Sequence, residues 1–276
     1  AAAAPPVVSL DQALAAGDAG TVIGTKASGD IDAAFKGAAH VFSGETHASG
    51  QFHFYLENQT AVATPLEGGA LRVASANQDP SQMQRGVAAA TGLRAADVNV
   101  VVRRLGGGYG GKNGAGNALV PAAVAAVAAQ ATGAQVRCVV PLAGGKAMRM
   151  FGRRPPFAFT YDVATDAAGR VLGVRGDVHI GNSRFAARGM DSGYAIPAWH
   201  VVTHLHELAV PQHCAMRAPG DLAGIHFIED VMERVAQGLG LAPEAVKTAN
   251  LDTGARGNAG GMAASHPLVL PQALGR

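Results

Sequence analysis

The sequence has few cysteines, and we expect no secretory signal in it. Cys138 and Cys214 are its two cysteines, too few to ligate an iron–sulfur cluster or to complete a structural zinc site within the chain. We therefore expect both to be free thiols. The N-terminus lacks the basic stretch and apolar stretch of a secretory signal. Free thiols without a targeting signal favour the cytoplasm over the periplasm.

Charge and long apolar runs are also scarce. Charged residues make up 15% of the 276 residues, and the net charge is +2. Scattered Lys and Arg cannot form the basic stripe that follows nucleic-acid phosphates, so we expect no nucleic-acid partner. Hydrophobic residues make up 48%, yet no run reaches the roughly 18 residues of a membrane helix, so we expect no membrane span.

Sequence periodicity predicts both strands and helices. The length allows one large domain or two packed subdomains. Alternating patterns predict strands over 39–48, 59–64, 71–76, 98–103, 136–140, 157–163, 171–180 and 198–207. Helical spacing, with caps and glycine stops, predicts helices over 80–90, 118–131, 221–238 and 242–251. Because no regular βαβ rhythm links them, we predict an α+β fold with mixed sheets and packed helices.

The first candidate site segment is Gly50 to Glu57, which contains Gln51 in a dense aromatic run. Polar groups among aromatic residues are costly to bury without partners. One interpretation is a binding segment. The alternative is a core strand whose polar groups are satisfied locally.

The second candidate is the glycine cluster from Gly106 to Gly111. Its main-chain amides carry little side-chain cover, so a ligand could approach closely. It is not a phosphate P-loop, because the spacing is wrong and no Ser or Thr follows Lys112. A simple tight turn is the alternative.

Two further segments carry polar side chains. Arg217 precedes the strongest predicted helix, where a guanidinium and free amides favour an anion or a polar heterocycle. The alternative is a loop arginine that pairs with a surface carboxylate. His200, His204 and His206 share one strand face if no bulge intervenes, and an ordinary polar face is favoured over a metal site.

Three ordered motifs carry a family resemblance. They are Gly50-Gln51-x-His53-Phe54-Tyr55-Leu56-Glu57, then Arg104-x-Gly106-Gly107-Gly108-Tyr109-Gly110-Gly111-Lys112, then Arg217-x-x-Gly220. Together they resemble the molybdenum hydroxylases, the xanthine dehydrogenase and aldehyde oxidase family. The likeness runs from about Val7 to Leu251. It identifies 9–251 as a first molybdopterin-binding domain, with two subdomains as one alternative, between a linker-like 1–8 and an irregular tail over 252–276.

The resemblance implies a molybdenum–molybdopterin cofactor, with its cytosine dinucleotide form as one alternative. In the family, molybdenum held by the pterin dithiolene hydroxylates a carbon beside nitrogen or oxygen, with oxygen derived from water. Electrons leave through iron–sulfur clusters and FAD, which the resemblance places on partner domains or subunits. The alanine-rich composition is typical of a bacterial protein.

Site residues are carried over by position. The resemblance implies that Gln51 hydrogen-bonds the oxo ligand of molybdenum, and that the main chain of Gly108, Tyr109 and Gly110 lines the cofactor. Arg217 would contact the cofactor, and no side chain of the chain would ligate the metal directly. Tyr109 stands where phenylalanine is common.

Departures from the family pattern concern substrate and catalysis. Asn113 and Pro219 replace residues that bind the purine in xanthine-oxidising members, so the resemblance favours an aldehyde or N-heterocycle as the small-molecule substrate. Arg188 is a weak replacement for a substrate-orienting arginine. The catalytic glutamate is expected in a second molybdopterin domain beyond the chain's end, so we expect no catalysis by this chain alone. The competing hypothesis is a catalytically silent scaffold that keeps the fold without molybdenum.

Overall fold

The computed structural model describes residues 5–113, 117–141, 151–183, 185–191 and 193–252. The predicted tail, apart from Asp252, lies outside the described residues. Mixed sheets with packed helices confirm the α+β prediction. By its internal contacts the chain divides into two units. Unit 1 comprises Ala1–Ser49, Pro156–Ala209 and Ala218–Arg276, and unit 2 comprises Gly50–Pro155 and Val210–Arg217.

Unit 1 contains a five-stranded sheet in the order β1-β9-β8-β7-β2. Strands β8 and β9 run parallel, and the other neighbours run antiparallel. The unit 1 elements are α1 Leu10–Ala15, β1 Thr21–Ser28, α2 Ile31–Lys36, β2 His40–Ala48, β7 Phe157–Thr165, β8 Val171–Gly181, β9 Ala198–His206, α5 Asp221–Leu239 and α6 Pro243–Asn250.

The long helix α5 supplies much of the unit 1 core. The Phe227 ring stacks on Phe159 with centroids 4.9 Å apart and meets Tyr161 edge-on. Leu222 and Ile225 share the helical spacing of the apolar residues in this segment, yet both side chains are exposed. With 3.6 residues per turn, Leu222 lies away from the buried stripe, whereas Ile225 lies at its edge, one turn before the buried Ile228.

The turn signal Asp166-Ala167-Ala168-Gly169 in the sequence predicts a hairpin between the strands on either side of it, and the structure confirms it, since β7 and β8 pair antiparallel. Asp166 Oδ1 accepts hydrogen bonds from the amides of Ala168 and Arg170, each at 2.9 Å, which closes the turn. Sequence reasoning missed α1, β1 and α2. The two helices have only six residues each, and β1 is an edge strand with little buried surface, so their hydrophobic signal is weak.

Unit 2 contains a four-stranded sheet in the order β5-β4-β3-β6. Strands β4 and β5 run parallel and the other pairs antiparallel. The unit 2 elements are β3 Gln59–Pro65, β4 Leu71–Ser75, α3 Pro80–Thr91, β5 Val98–Val101, α4 Leu119–Thr132 and β6 Val136–Val140, with short 3-10 turns at Glu67–Gly69 and Ala95–Asp97.

Small side chains let α4 lie close to this sheet. Ala122, Ala125, Ala126 and Ala129 are all fully buried, in one cluster with residues of β3 and β4. The predicted start of α3 is confirmed, because Asp79 Oδ1 accepts a hydrogen bond from the Gln82 amide at 2.9 Å. Strand β5 ends at Val101, two residues earlier than predicted, because its register with β4 ends there.

No helix in the described part of the chain is long and apolar enough to cross a membrane.

Candidate functional site

The segment from Gln51 to Glu57 is irregular in the structure. The alternative of a core strand is therefore wrong for this segment. Phe54 adopts a left-handed backbone with φ +51° and is 71% exposed. His53 and Tyr55 are buried between exposed neighbours, and His53 Nε2 lies 2.8 Å from the Ala215 carbonyl oxygen. The side chains of alternate residues therefore anchor this segment to the rest of unit 2.

Gln51 is exposed and is held by a neighbouring arginine. Arg154 Nε donates to Gln51 Oε1 at 2.8 Å, and the Arg154 amide donates to the Gln51 carbonyl at 2.9 Å. Because the oxygen of the carboxamide accepts from Arg154, its Nε2 amino group is left as a hydrogen-bond donor.

The glycine loop from Gly106 to Gly111 is a tight turn that leaves some of its amides without a hydrogen-bond acceptor among the residues that the structure describes. The Gly106 amide donates to Glu57 Oε2, and the Gly110 amide donates to Gln78 Oε1, both at 2.8 Å. Gly107, Tyr109 and Gly110 have φ of +88°, +52° and +97°. Within the described residues, the amides of Gly108 and Tyr109 donate no hydrogen bond. The turn and ligand interpretations are thus compatible.

The segment before Ala218 packs directly on this loop. The Arg217 amide donates to the Tyr109 carbonyl at 2.8 Å, and the Arg217 carbonyl accepts from Arg154 Nη2 at 2.7 Å. A Cβ at Gly110 would lie 2.2 Å from the Ala215 carbonyl oxygen, so glycine is required for this approach. The structure therefore brings Gln51, the glycine loop and Arg217 together within unit 2.

The substrate candidates fall in different units. Asn113 belongs to unit 2, is partly buried, and its amide lies 3.4 Å from the Gly110 carbonyl. Arg188 and Pro219 belong to unit 1. Arg188 Nη2 donates to the Pro219 carbonyl at 2.6 Å and lies 3.5 Å from Asp221 Oδ2. Local contacts therefore already engage the Arg188 guanidinium.

Sequence reasoning missed two residues that shape this region. Gln78 lies in Asn77-Gln78-Asp79-Pro80, just before α3, and nothing in that stretch marks its side chain as the acceptor that holds the glycine loop. Arg154 stands in Arg153-Arg154-Pro155-Pro156, and no local pattern separates it from a surface arginine. Both roles depend on partners distant along the chain, so an adjacent motif gives no signal for them.

A buried ion pair lies where the glycine loop ends, at Lys112. Lys112 Nζ lies 2.6 Å from Glu57 Oε2, and the Lys112 side chain is 0% exposed against 35% for Glu57. The ammonium also lies 4.7 Å from the centroid of the Tyr55 ring. Burial lowers the pKa of Lys112, and Glu57 partly offsets that effect.

Two of the three strand histidines, His204 and His206, have hydrogen-bond partners on their side chains. His206 lies 2.9 Å from both Asp18 Oδ2 and His179 Nδ1, and His204 Nε2 lies 2.7 Å from Asp177 Oδ1. The described residues contain no group of three or more His, Cys, Asp or Glu side chains arranged to hold a metal ion. These contacts describe a polar strand face.

Both cysteines are free thiols, as expected. Cys214 Sγ donates to the Gly152 carbonyl at 3.3 Å, and burial raises the pKa of this thiol to about 11. Cys214 therefore stays protonated near neutral pH and is a poor nucleophile.

A buried histidine beside Cys214 makes unit 2 sensitive to acid. His213 is 6% exposed, and burial, with a smaller effect of Arg153, lowers its pKa from 6.5 to about 4. Between these values the unfolded state binds the proton more readily, so stability is present above pH 6.5 and is lost as the pH falls through 4. We expect His213 to contribute a loss of about 3 kcal/mol over that window.

Chemical denaturation at several pH values measures this effect. His213→Gln is expected to flatten the dependence of the unfolding free energy on pH, whereas His200→Gln, at an exposed strand position, serves as the control and leaves it unchanged. Equal slopes in the His213→Gln variant and the unchanged protein would rule out His213 as the acid-sensitive group.

The region around Gln51 offers hydrogen-bond donors of several kinds. They are the Gln51 amino group and the amides of the buried Gly108 and the exposed Tyr109, which are unpaired among the described residues; the main chain of Arg217 packs on this loop, and its side chain is exposed. Acceptors are fewer, because the Gln51 oxygen and the Tyr109 and Arg217 carbonyls already receive hydrogen bonds. This donor set suits a ligand that is anionic or rich in oxygen acceptors.

Comparisons with known proteins agree on one family. Residues 16–251 match the model of the molybdopterin cofactor-binding domain. Xanthine dehydrogenase of Emericella nidulans is 30% identical over 258 residues, which cover 90% of this chain and 19% of that protein. Aldehyde oxidase 1 of Rattus norvegicus is 33% identical over 239 residues, which cover 81% of this chain and 17% of that protein. The chain therefore spans about a fifth of the length of these curated relatives.

A solved structure shares the fold. The aldehyde oxidoreductase of Desulfovibrio gigas superposes with a TM-score of 0.76 at 22% identity, over 90% of this chain and 29% of that chain.

Proposed function

The chain belongs to the molybdopterin cofactor-binding domain family of xanthine dehydrogenase and aldehyde oxidase type oxidoreductases, and on that premise we propose that it holds the cofactor of a hydroxylase. The proposed reaction adds water-derived oxygen to an aldehyde or an N-heterocycle. The observation that supports the proposal is that Arg154 and the Tyr109 carbonyl join Gln51, the glycine loop and the Arg217 segment within unit 2, with the amides of Gly108 and Tyr109 unpaired in the part of the chain that is described.

The residues present fit a molybdenum–molybdopterin cofactor. When bound, the metal supplies the redox chemistry and oxygen transfer that amino-acid side chains lack. Gln51 Nε2 would donate to an oxo oxygen of the cofactor, because Arg154 occupies the carboxamide oxygen. The amides of Gly108 and Tyr109, with Gly110, would line the cofactor, and the Arg217 guanidinium would contact it. The cytosine dinucleotide form is one alternative for the cofactor.

A general base has to come from outside unit 2. Four carboxylates belong to this unit. Glu57 pairs with Lys112, Asp79 caps α3, Asp97 pairs with Arg94, and Glu67 is exposed in a 3-10 turn. None lies free beside Gln51. A catalytic carboxylate on a second molybdopterin domain, with iron–sulfur and FAD carriers on partner domains or subunits, completes the proposed enzyme.

The substrate proposal follows from two positions. By the family resemblance, xanthine-oxidising members carry a purine-binding glutamate where this chain has Asn113 and a phenylalanine against the purine ring where it has Pro219, so neither contact can form here. An aldehyde or N-heterocycle that needs neither contact is the proposed substrate class. The local contacts of Arg188 with Pro219 and Asp221 agree with only a minor role for Arg188.

Metal analysis of the protein, purified with its neighbouring subunits, tests the proposal. A cofactor-holding domain predicts molybdenum in proportion to protein. The competing hypothesis is a silent scaffold, which the engaged Arg188 guanidinium favours. A scaffold would copurify with its partners and contain no stoichiometric molybdenum, and that result would exclude the proposed function.

Gln51→Ala tests the site itself. The substitution removes one hydrogen bond to a charged acceptor, worth about 2 kcal/mol, so we expect kcat to fall about thirtyfold while molybdenum content is kept. Gln135→Ala is the matched control, since Gln135 is an exposed residue of unit 2 that donates to Thr64 Oγ1 at 2.9 Å. Unchanged turnover in the Gln51→Ala enzyme would remove Gln51 from the site.

A further inference from the structure

Arg154 is a buried arginine that contacts two of the three segments of the site. It is 4% exposed. Its Nε donates to Gln51 Oε1 at 2.8 Å, and its Nη2 donates to the Arg217 carbonyl at 2.7 Å. Its own amide donates to the Gln51 carbonyl at 2.9 Å. One guanidinium therefore fixes the Gln51 side chain relative to the segment that ends at Arg217.

The chemistry of the guanidinium decides which end of the carboxamide faces outwards. A guanidinium has N–H donors and no acceptor, so the Gln51 atom in front of Arg154 must be the oxygen. A carboxamide without such a partner rotates about its last bond between two orientations of similar energy, which exchange the oxygen and the amino group. Arg154 removes that freedom, and the amino group points away from it.

We propose that Arg154 is a positioning residue that locks the Gln51 carboxamide so that Nε2, and never Oε1, faces the bound cofactor. The inference rests on the proposed function, because the locked donor needs an acceptor on the cofactor. In the flipped orientation, the carboxamide oxygen would meet an oxo oxygen and repel it. Arg154 acts through Gln51 and need not touch the cofactor or the substrate.

A double-mutant cycle in the assembled enzyme separates this role from a general structural one. Arg154→Met is expected to lower kcat about tenfold in the otherwise unchanged enzyme, with little change in KM or molybdenum content. In the Gln51→Ala background, the same substitution is expected to lower kcat by less than about twofold, because there is no carboxamide left to orient. An equal loss in both backgrounds overturns the inference.

Two variants accompany this cycle. Arg153→Met is the matched control, since the neighbouring Arg153 guanidinium lies over the Phe52 ring at 5.4 Å and we expect kcat to stay within about twofold. If Arg154→Met does not assemble, Arg154→Lys replaces it in the cycle. An ammonium donates in fewer fixed directions than a guanidinium, so a partial loss of about threefold is expected, again only when Gln51 is present.

A neutron structure of the Arg154→Met enzyme, which distinguishes the deuterated amino group from the oxygen, supplies a readout independent of turnover. The Gln51 carboxamide is expected to show both orientations there and a single orientation in the unchanged enzyme. One and the same orientation in both overturns the positioning role. The proposed function fails separately: absent molybdenum, or full turnover by Gln51→Ala, overturns both ideas, whereas a slow Gln51→Ala enzyme with additive Arg154→Met losses overturns only the role of Arg154.

Discussion

Gly110→Ala is expected to destabilise unit 2 by at least about 5 kcal/mol, which is among the largest losses of folding free energy that a single substitution causes. Gly110 has φ +97°, and a Cβ there would lie 2.2 Å from the Ala215 carbonyl oxygen and 2.7 Å from its carbon. These are main-chain atoms, so the clash cannot be relieved by a side-chain rotation. Either the glycine loop or the segment ending at Arg217 has to move, and the hydrogen bond between Arg217 and Tyr109 is lost.

Gly133→Ala is the control for this prediction. Gly133 also has a left-handed backbone, with φ +66°, but an added Cβ meets nothing within 4 Å. The substitution should cost only about 1 kcal/mol, the usual penalty of a left-handed alanine. Denaturant unfolding of both variants gives the comparison, and molybdenum content of the assembled enzyme reports on the site. Similar losses in the two variants would mean that the contact with Ala215 does not stabilise the protein.

Glu57→Ala is expected to cost about 4 kcal/mol, much more than Lys112→Met at about 1 kcal/mol. The difference follows from unequal burial, since the Lys112 side chain is 0% exposed and the Glu57 side chain is 35% exposed. Removing Glu57 leaves a buried ammonium with only the Tyr55 ring against it. Removing Lys112 leaves a carboxylate that water can reach and that still accepts from the Gly106 amide.

The double variant and the pH dependence test this asymmetry. Adding Lys112→Met to Glu57→Ala should restore most of the lost stability, because it removes the unpaired charge. Without Glu57, the pKa of Lys112 falls further below its ordinary value of 10.5, so the unfolded state binds more protons. The stability of the Glu57→Ala variant should therefore rise as the pH increases towards 10.5. Equal costs for the two single variants would contradict this account.

Local signals predicted the elements that bury a large regular surface. The caps of α3 at Asp79 and Gly92 and the hairpin turn at Asp166 were visible because each depends on residues adjacent in sequence. The first two helices and β1 were missed because they are short or lie at a sheet edge. The exposure of Leu222 depends on which side of the helix faces the core, and the spacing of apolar residues alone does not determine that side.

The motifs identified the candidate segments but not the contacts that set their geometry. Gln51 was selected by its motif, yet the direction of its carboxamide depends on Arg154, which lies 103 positions away. The glycine loop was selected by composition, yet Gln78 pins it from 32 positions away.

The sequence by itself determined the α+β class, the family and the segments able to form a donor-rich site, because propensity, caps and motifs are local and are encoded by neighbouring residues. Only the tertiary structure decided how those segments meet. It placed Arg154 against Gln51, Ala215 against Gly110, and Lys112 against Glu57. The physical reason is that hydrogen bonds, close packing and charge pairing depend on distance in space, and folding sets that distance independently of separation along the chain.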